Sequence, residues 1–358
     1  MVRAISLFSG SLASIVATKL VMEEGVDVRL LHFRSPFFRD PQKTKEIALA
    51  LWKLPRGTLR TRSLKKEYEA LTNISPNGGY NLKNCCTGCR TLMLRKALRF
   101  MKRAKADFIV TGEIVGVRGL GAKDVLKITE AAGAQDFVLR PLSARLLPPT
   151  LAERNGWVKR RRLKALRASN SHALKKLAKK LGIELEGFSA EQRCKLTCTG
   201  FGKRLEDLLR EGGFNTNVLE LLEFPLYYKI QPDVKIVLGL DEEQKKRLQN
   251  LLLPTDLRLY VPSDDGPLAL VRTNWDHKTP SEIESIIESA AKITATHWWH
   301  LHALQNGNGQ SMPMKVLSDL VKIQINYRFE NEHQTFHIGV RPFTSEQELK
   351  QSSVVRLS

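Results

Sequence analysis

The feature that most constrains this chain is its opening, where an apolar run, a small-residue turn and a helical pattern follow one another directly. Arg3 to Phe8 is apolar enough for a buried strand, Ser9-Gly10-Ser11 interrupts it, and Leu12 to Glu24 carries apolar residues at helical spacing. The order then repeats. The pattern predicts a strand from Val28 to Phe33, a helix from Pro41 to Trp52, and a helix from Cys89 to Ala104 with a strongly basic outer face. A buried strand from Asp107 to Val110 follows and opens into Thr111-Gly112-Glu113. Alternating strands and helices imply an α/β fold with a parallel sheet, because parallel neighbours need crossover connections. Ligands of such sheets gather at the carboxyl ends of the strands, so the Ser9 loop, the Thr111 loop and the cysteines are expected along one edge.

Beyond this sheet, four segments are expected: 1–145 as the first domain, 146–230 as a basic helical, cysteine-bearing extension, 231–345 as a small α+β domain, and 346–358 as a flexible tail. With 358 residues the chain can bury more than one core. The proline-punctuated stretch from Arg140 to Pro149 supplies the first boundary, and a change of pattern between Pro225 and Pro232 the second. After Val234, short strand-like runs at Lys235–Leu238, Leu257–Val261, Leu268–Val271 and Ile323–Phe329 surround a helical pattern from Pro280 to His300.

Charge narrows the partner. The chain has 57 Lys+Arg against 37 Asp+Glu, a formal net charge of +20. The excess is clustered: eleven basic and no acidic residues from Arg154 to Lys180, and eight basic and no acidic from Leu82 to Lys105. Lys159, Arg160, Arg161, Arg162, Lys164, Arg167, Lys175, Lys176, Lys179 and Lys180 are expected on helical positions, with Arg95, Lys96, Arg99, Lys102 and Arg103 extending the surface. Two such faces suit the backbone of tRNA or another structured RNA; the plainer reading is a solvated helix face. No apolar run is long enough to span a membrane, and the N-terminal run leads into a turn and not a cleavage site, so a cytoplasmic protein with no membrane partner is expected.

Five cysteines in this length do not make a disulfide framework, and three of them crowd at Cys85, Cys86 and Cys89. A Cys86-x-x-Cys89 pair at a helix start, beside Arg90, is expected to favour thiolate. With Cys194, three thiols can hold an iron–sulfur cluster with an open iron, or two can serve as persulfide carrier and resolving thiol. Zinc completed by Cys85 or Cys198, and inert thiols, remain as alternatives. The Ser9 loop offers backbone N–H groups and a helix N-terminus to phosphate, or is a plain Gly/Ser turn.

Taken together, these segments resemble PP-loop ATP pyrophosphatases related to tRNA thiouridine synthases. Ser9, Gly10 and Ser14 match the Ser-Gly-Gly-x-Asp-Ser fingerprint, and the likeness continues through Leu31-His32-Phe33, Asn84-x-Cys86-x-x-Cys89 and Thr111-Gly112-Glu113-Ile114-Val115-Gly116. It includes Leu139-Arg140-Pro141-Leu142-Ser143-Ala144, and Cys194 with Leu196-Thr197 ahead of Phe201-x-x-Arg204-Leu205. The resemblance implies a HUP-type (adenine nucleotide alpha hydrolase-like) fold, and ATP with Mg²⁺ held by Ser9, Gly10, Ser11, Ser14, His32, Thr111, Gly112 and Glu113. Adenylation of a tRNA uridine would be followed by sulfur transfer through Cys86, Cys89 and Cys194, with a [4Fe-4S] cluster as one possible form of those thiols and a sulfur donor protein as partner. His32 also reads simply as a strand-end packing residue.

Two departures bear on that chemistry. Ser11 replaces the second glycine, crowding the backbone approach to pyrophosphate, and Ala13 lacks the carboxylate that assists phosphate and Mg²⁺. An active sulfurtransferase and a non-catalytic RNA-binding paralogue therefore both follow from the sequence; an amide-forming synthetase does not explain the basic faces. The C-terminal segment resembles the NFACT RNA-binding module, through Lys235-Ile236-Val237-Leu238-Gly239, Gly266-Pro267-Leu268-Ala269-Leu270 and Ala295-Thr296-His297-Trp298-Trp299. Trp298 and Trp299 suit base stacking or core packing; His297 and His300 read as structural.

Overall fold

A computed structural model describes residues 1–35, 37–38, 46–48, 58–64, 82–169, 171–183, 194–211, 215–230, 232–263, 265–305, 322–343, 345, 348 and 354–357. The chain divides into two compact units, Met1–Cys198 and Thr199–Ser358, and the boundaries expected at 145 and 230 fall inside them.

The first unit is built on five parallel strands, β1 (Arg3–Leu7), β2 (Asp27–Arg34), β3 (Leu59–Ser63), β4 (Phe108–Thr111) and β5 (Val138–Leu139), in the order β3-β2-β1-β4-β5. This is the parallel α/β class that the strand–helix alternation implied. Its longer helices among the described residues are α1 (Leu12–Met22), α2 (Leu82–Arg103), α3 (Ala122–Ala131) and α4 (Ser171–Lys180). Alternate residues of each strand face opposite layers. Ala4, Val28, Leu30, Phe108 and Val110 pack with Ile15, Val16 and Leu20 of α1 and Ala178 of α4 in one buried cluster. The chain leaves β1 toward β2 and β3, then returns to β4 on the other side of β1. That reversal opens a crevice at the carboxyl ends of β1 and β4. Of the helix expected from Pro41 to Trp52, only Glu46–Ala48 lies among the described residues, and it is helical.

The basic stretch after Arg154 departs from expectation. Arg160–Arg162 makes a single 3-10 turn, and α-helix begins only at Ser171. The intervening backbone is spent on the body of the unit: Lys164 N–H donates to Pro141 O at 2.8 Å, Leu166 N–H to Leu142 O at 2.7 Å and Ala168 N–H to Val115 O at 3.0 Å. Val158 and Leu163 enter the core. A charge-rich composition satisfies a helical reading equally well; only the distant carbonyls make the extended form better.

The second unit is a wholly antiparallel seven-stranded sheet. Its strands are β6 (Leu226–Ile230), β7 (Val234–Gly239), β8 (Leu257–Tyr260), β9 (Leu268–Arg272), β10 (Ile323–Phe329), β11 (Phe336–Val340) and β12 (Val354–Arg356), in the order β11-β10-β8-β9-β7-β6-β12. With them come α5 (Thr199–Glu211), α6 (Thr216–Leu221), α7 (Glu242–Gln249) and α8 (Pro280–Gln305). The long α8 starts where the sequence allows it. Pro280 tolerates the first helical position, and Thr279 and Glu282 cap each other, Thr279 N–H donating to Glu282 Oε2 at 2.7 Å. Ile286, Ile287, Ala290, Ala291 and Ile293 of α8 then pack on Ile236, Leu238, Leu257, Leu259, Ala269 and Val271.

The flexible tail expected at 346–358 is corrected at its end. Val354–Arg356 adds to the open edge of β6 with Val355 opposite Lys229, and Leu357 N–H donates to Tyr227 O at 2.9 Å. Two β-branched residues suit an edge, but the edge lies more than a hundred residues away, so composition does not show it.

Candidate functional site

The Ser9 loop occupies the mouth of the crevice. Gly10 takes φ +75°, a conformation glycine adopts without cost, which turns the chain from β1 into α1. Ser11 is the N-cap of α1, its Oγ accepting from Ser14 N–H at 3.3 Å. Ser14 Oγ donates to Ser11 O at 2.8 Å, and Ser9 Oγ lies 3.0 Å from Ser11 Oγ. Three hydroxyls thus gather at a helix N-terminus, where backbone N–H groups and the dipole favour an anion.

The Thr111 loop closes against it. A Cβ on Gly112 would sit 2.6 Å from both Ser14 Cα and Ser14 N, so only glycine lets the β4 loop approach the start of α1 this closely. Between the loops lies a cavity of about 310 Å³, lined by Ser9, Ser11, Ser14, His32, Thr111, Gly112, Glu113 and Cys194 among others. That is small-ligand size. Its walls include the apolar Phe33, Phe38, Met93 and Leu94.

His32 stands at the end of β2, 6% exposed, with Nδ1 at 3.0 Å from Phe8 O and a buried Nε2 that has no hydrogen-bond partner. Burial lowers its pKa, with Arg34 adding to the fall, so the ring is neutral near pH 7. An unpartnered ring nitrogen beside a cavity is what an incoming polar ligand can satisfy. Glu113 has less freedom. Burial raises its pKa, but Arg140 and Arg90 outweigh that and hold the carboxyl below its usual range. Arg140 Nε donates to it at 2.8 Å and Arg90 lies at 3.1 Å.

The thiols are placed differently from expectation. α2 already runs from Leu82, which puts Cys86 in its second turn and Cys89 in its third, beyond the reach of the first-turn dipole. Both are buried, as is Cys194, while Cys198 is half-buried and the side chain of Cys85 lies outside the described residues. Burial pushes the Cys194 thiol up, against the opposing charge of Arg118. Arg118 Nη1 donates to Cys86 Sγ at 3.7 Å, and Arg118 and Cys194 share the cavity wall. Cys86 and Cys198 are each close enough to act electrostatically on Cys194. Among the described residues no group of three or more His, Cys, Asp or Glu side chains is placed to hold a metal ion. As placed, the described thiols do not fit a three-ligand cluster.

Sequence reasoning missed Arg118, and it read Arg140 as part of a motif without a role. Arg118 carries φ +59°, an unusual backbone for a non-glycine residue, in a turn between Gly116 and Gly119. Nothing in the local sequence announces an arginine aimed at a cysteine 32 residues earlier.

The expected RNA-facing residues divide into two groups. Arg99, Arg103, Lys159, Arg161, Arg167, Lys175, Lys176, Lys179 and Lys180 are exposed, and Lys164 is half-buried. Three others are engaged: Arg160 with Glu153 at 2.5 Å, Arg162 with Glu24 at 2.8 Å, and Arg95 with Ala131 O at 3.0 Å. In the second unit Trp298 and Trp299 pack, half-buried, against the core. His297 Nε2 lies 2.6 Å from Tyr228 Oη, and burial lowers its pKa to about 4.

Residues 2–145 match the protein family described as thiamine biosynthesis protein (ThiI), a span that coincides with the parallel sheet. No protein of curated function matches the chain. Among solved structures, NMN synthetase from Francisella tularensis is 16% identical with a TM-score of 0.34, covering 62% of this chain and 82% of its own. U34-tRNA thiolase NcsA from Methanococcus maripaludis, solved with its [4Fe-4S] cluster, is 14% identical with a TM-score of 0.32, covering 62% and 70%. The C-terminal part of the fibronectin/fibrinogen-binding protein from Streptococcus suis is 14% identical with a TM-score of 0.24, covering 50% and 75%.

Proposed function

We propose that this is a tRNA-binding protein of the ATP-dependent thiolation class, with the adenine nucleotide in the cavity beside Ser9 and sulfur delivered at Cys194. One observation carries the reading: a single cavity at the sheet reversal is lined by the Ser9 loop, by Thr111-Gly112-Glu113 and by a cysteine. The match of residues 2–145 supports it. The exposed arginines and lysines of α2 and α4 supply charge for an RNA backbone, and the antiparallel unit is read as a further RNA-binding module.

The chemistry follows from the placement. A uridine oxygen attacks the α-phosphorus of ATP, pyrophosphate leaves, and the oxygen becomes part of a good leaving group. The terminal sulfur of a persulfide on Cys194, supplied by a donor protein, then attacks the base carbon and AMP departs. Cys86 thiolate attacks the Cys194 sulfur, the base keeps the transferred sulfur, and a dithiol reductant reopens the resulting disulfide. Arg118 opposes the burial that pushes the Cys194 thiol up, and donates to Cys86 Sγ. Because the described thiols do not fit a cluster, no step is assigned to one.

The phosphate end fits less well than the nucleoside end. His32 Nε2 and Thr111 suit a nucleoside, but Ala13 offers no carboxylate to Mg²⁺ and Glu113 is committed to two arginines. These observations favour the second reading, an RNA-binding paralogue without ATP cleavage. Purified protein incubated with ATP, tRNA, a persulfide-generating sulfur donor and a dithiol reductant separates the two. The enzyme reading expects tRNA-dependent pyrophosphate release and a thiolated nucleoside by mass spectrometry, the latter lost in Cys194→Ser. Retention of tRNA with no pyrophosphate, rescued by Ser11→Gly with Ala13→Asp, assigns the chain to the second reading.

A further inference from the structure

A second cavity, of about 350 Å³, opens on the first unit and is lined by Arg3, Arg29, Arg60, Arg62, Phe100 and Arg103. We infer that it is a phosphodiester-binding site, one that grips the RNA backbone away from the nucleotide cavity. It rests on the reading that this chain binds RNA, but not on ATP cleavage or on the cysteines.

Five guanidiniums converge from four elements. Arg60 and Arg62 are two residues apart on β3 and therefore project on one face. In register they lie opposite Leu31 and Phe33 of β2, and Arg29 shares that face by the same alternation. Arg3 comes from the start of β1, and Arg103 with Phe100 from the last turns of α2. Arg62 lies over the Phe100 ring at 5.8 Å, which holds its planar fork in place.

The local acids do not balance this charge. Asp27 is shared between Arg3 at 2.7 Å and Arg29 at 3.4 Å, and Asp107 accepts from the Arg3 backbone N–H. Among the described residues no acid pairs with Arg60, Arg62 or Arg103. Arginines on an edge strand can serve only to discourage sheet-to-sheet pairing. That role needs no concavity and no convergence from β1, β2 and α2. A concave site in which Arg60, Arg62 and Arg103 pair with no acid among the described residues, beside Arg3 and Arg29 that share Asp27, fits phosphate oxygens, which guanidiniums bind bidentately.

Placement argues for RNA over a free anion. α2 lines both cavities, with Arg90 and Leu94 at the first and Phe100 and Arg103 at the second. Thirteen residues of helix separate Arg90 from Arg103, about 20 Å of rise. A folded RNA whose base enters the first cavity reaches the second with its backbone.

The test compares wild type, Arg60→Ala/Arg62→Ala and Arg60→Lys/Arg62→Lys for binding of unfractionated tRNA across a salt series, with thermal melting as the folding control. The expected result is unchanged melting, about tenfold weaker binding in the alanine variant at 0.1 M salt, and a log–log salt slope shallower by roughly one to two charges. The lysine variant keeps the slope. If wild type binds tRNA and the alanine variant binds it equally well, the inference is overturned while the functional reading stands. Wild type that retains no tRNA overturns both. Calorimetry with inorganic pyrophosphate is the second arm: binding that needs Arg60 and Arg62, beside unaltered tRNA affinity, makes this a small-anion site and overturns the RNA assignment.

Discussion

Gly112 shows how one residue decides whether two loops can form a site. Its missing side chain is what allows the β4 loop to lie against Ser14 and Ala13, both backbone neighbours that cannot move aside. Gly112→Ala is expected to cost about 2 kcal/mol by displacing that loop, measured by urea unfolding, and to abolish nucleotide binding measured by calorimetry. Glu113 makes the complementary case. Its folded pKa lies below the ordinary 4.5, so the stability it contributes is fully present above that value and is lost as pH falls through the folded pKa. Arg140→Met leaves the buried carboxylate with Arg90 as its one cationic partner among the described residues, beside the Thr111 hydroxyl, and removes a donor to Val125 O. A loss of about 3 kcal/mol near pH 7 is expected, with acid unfolding beginning at a higher pH than in wild type; an unchanged acid limb in a fluorescence pH titration would refute this.

At the level of elements, β12 ties the end of the chain to a titrating pair. Arg356 lies 6.0 Å from the Tyr228 ring, and Tyr228 Oη meets His297 of α8. Burial first, then the charges of Arg356 and His300, lower His297 to about 4. Above pH 6.5 the ring is neutral in both folded and unfolded chains, and stability does not depend on it. Between 6.5 and about 4 the unfolded chain takes up a proton that the folded one refuses, and on the order of 3 kcal/mol is lost by the lower limit. His297→Gln is expected to flatten the dependence of melting temperature on pH across that window. α1 follows a different logic, since its Ser11 cap stabilises the helix with the same oxygen that stands where a phosphate would approach. Replacing it with glycine costs only a few tenths of a kcal/mol, so the Ser11→Gly/Ala13→Asp protein described above remains folded enough to assay.

Among the described residues one core is centred on the parallel sheet and another on the antiparallel sheet. Each sheet buries its own apolar face, so scanning calorimetry is expected to resolve two transitions, of which only one shifts in the His297 variant described above. A net charge of +20 spread over such a body gives long-range attraction for polyanions. The affinity itself depends on the exposed fraction of the arginines, because those already held by Glu153 or Glu24 give up an existing pair before they can meet a phosphate.

The sequence alone determined the parallel α/β class, the position of the Ser9 turn, the Thr111-Gly112-Glu113 loop and the excess of positive charge. Each is written in local periodicity or composition, in strand-length apolar runs and a small-residue turn that permits few backbones. Tertiary structure decided the rest. Arg118 reaches Cys86 and Arg140 reaches Glu113 across 32 and 27 positions, Val354–Arg356 finds the β6 edge, and Lys164 and Leu166 give up helix for distant carbonyls. The five-arginine cavity belongs to the same class, assembled from β1, β2, β3 and α2. Contacts of that kind depend on which elements become neighbours, and the pattern along one segment holds no information about the segment that will face it.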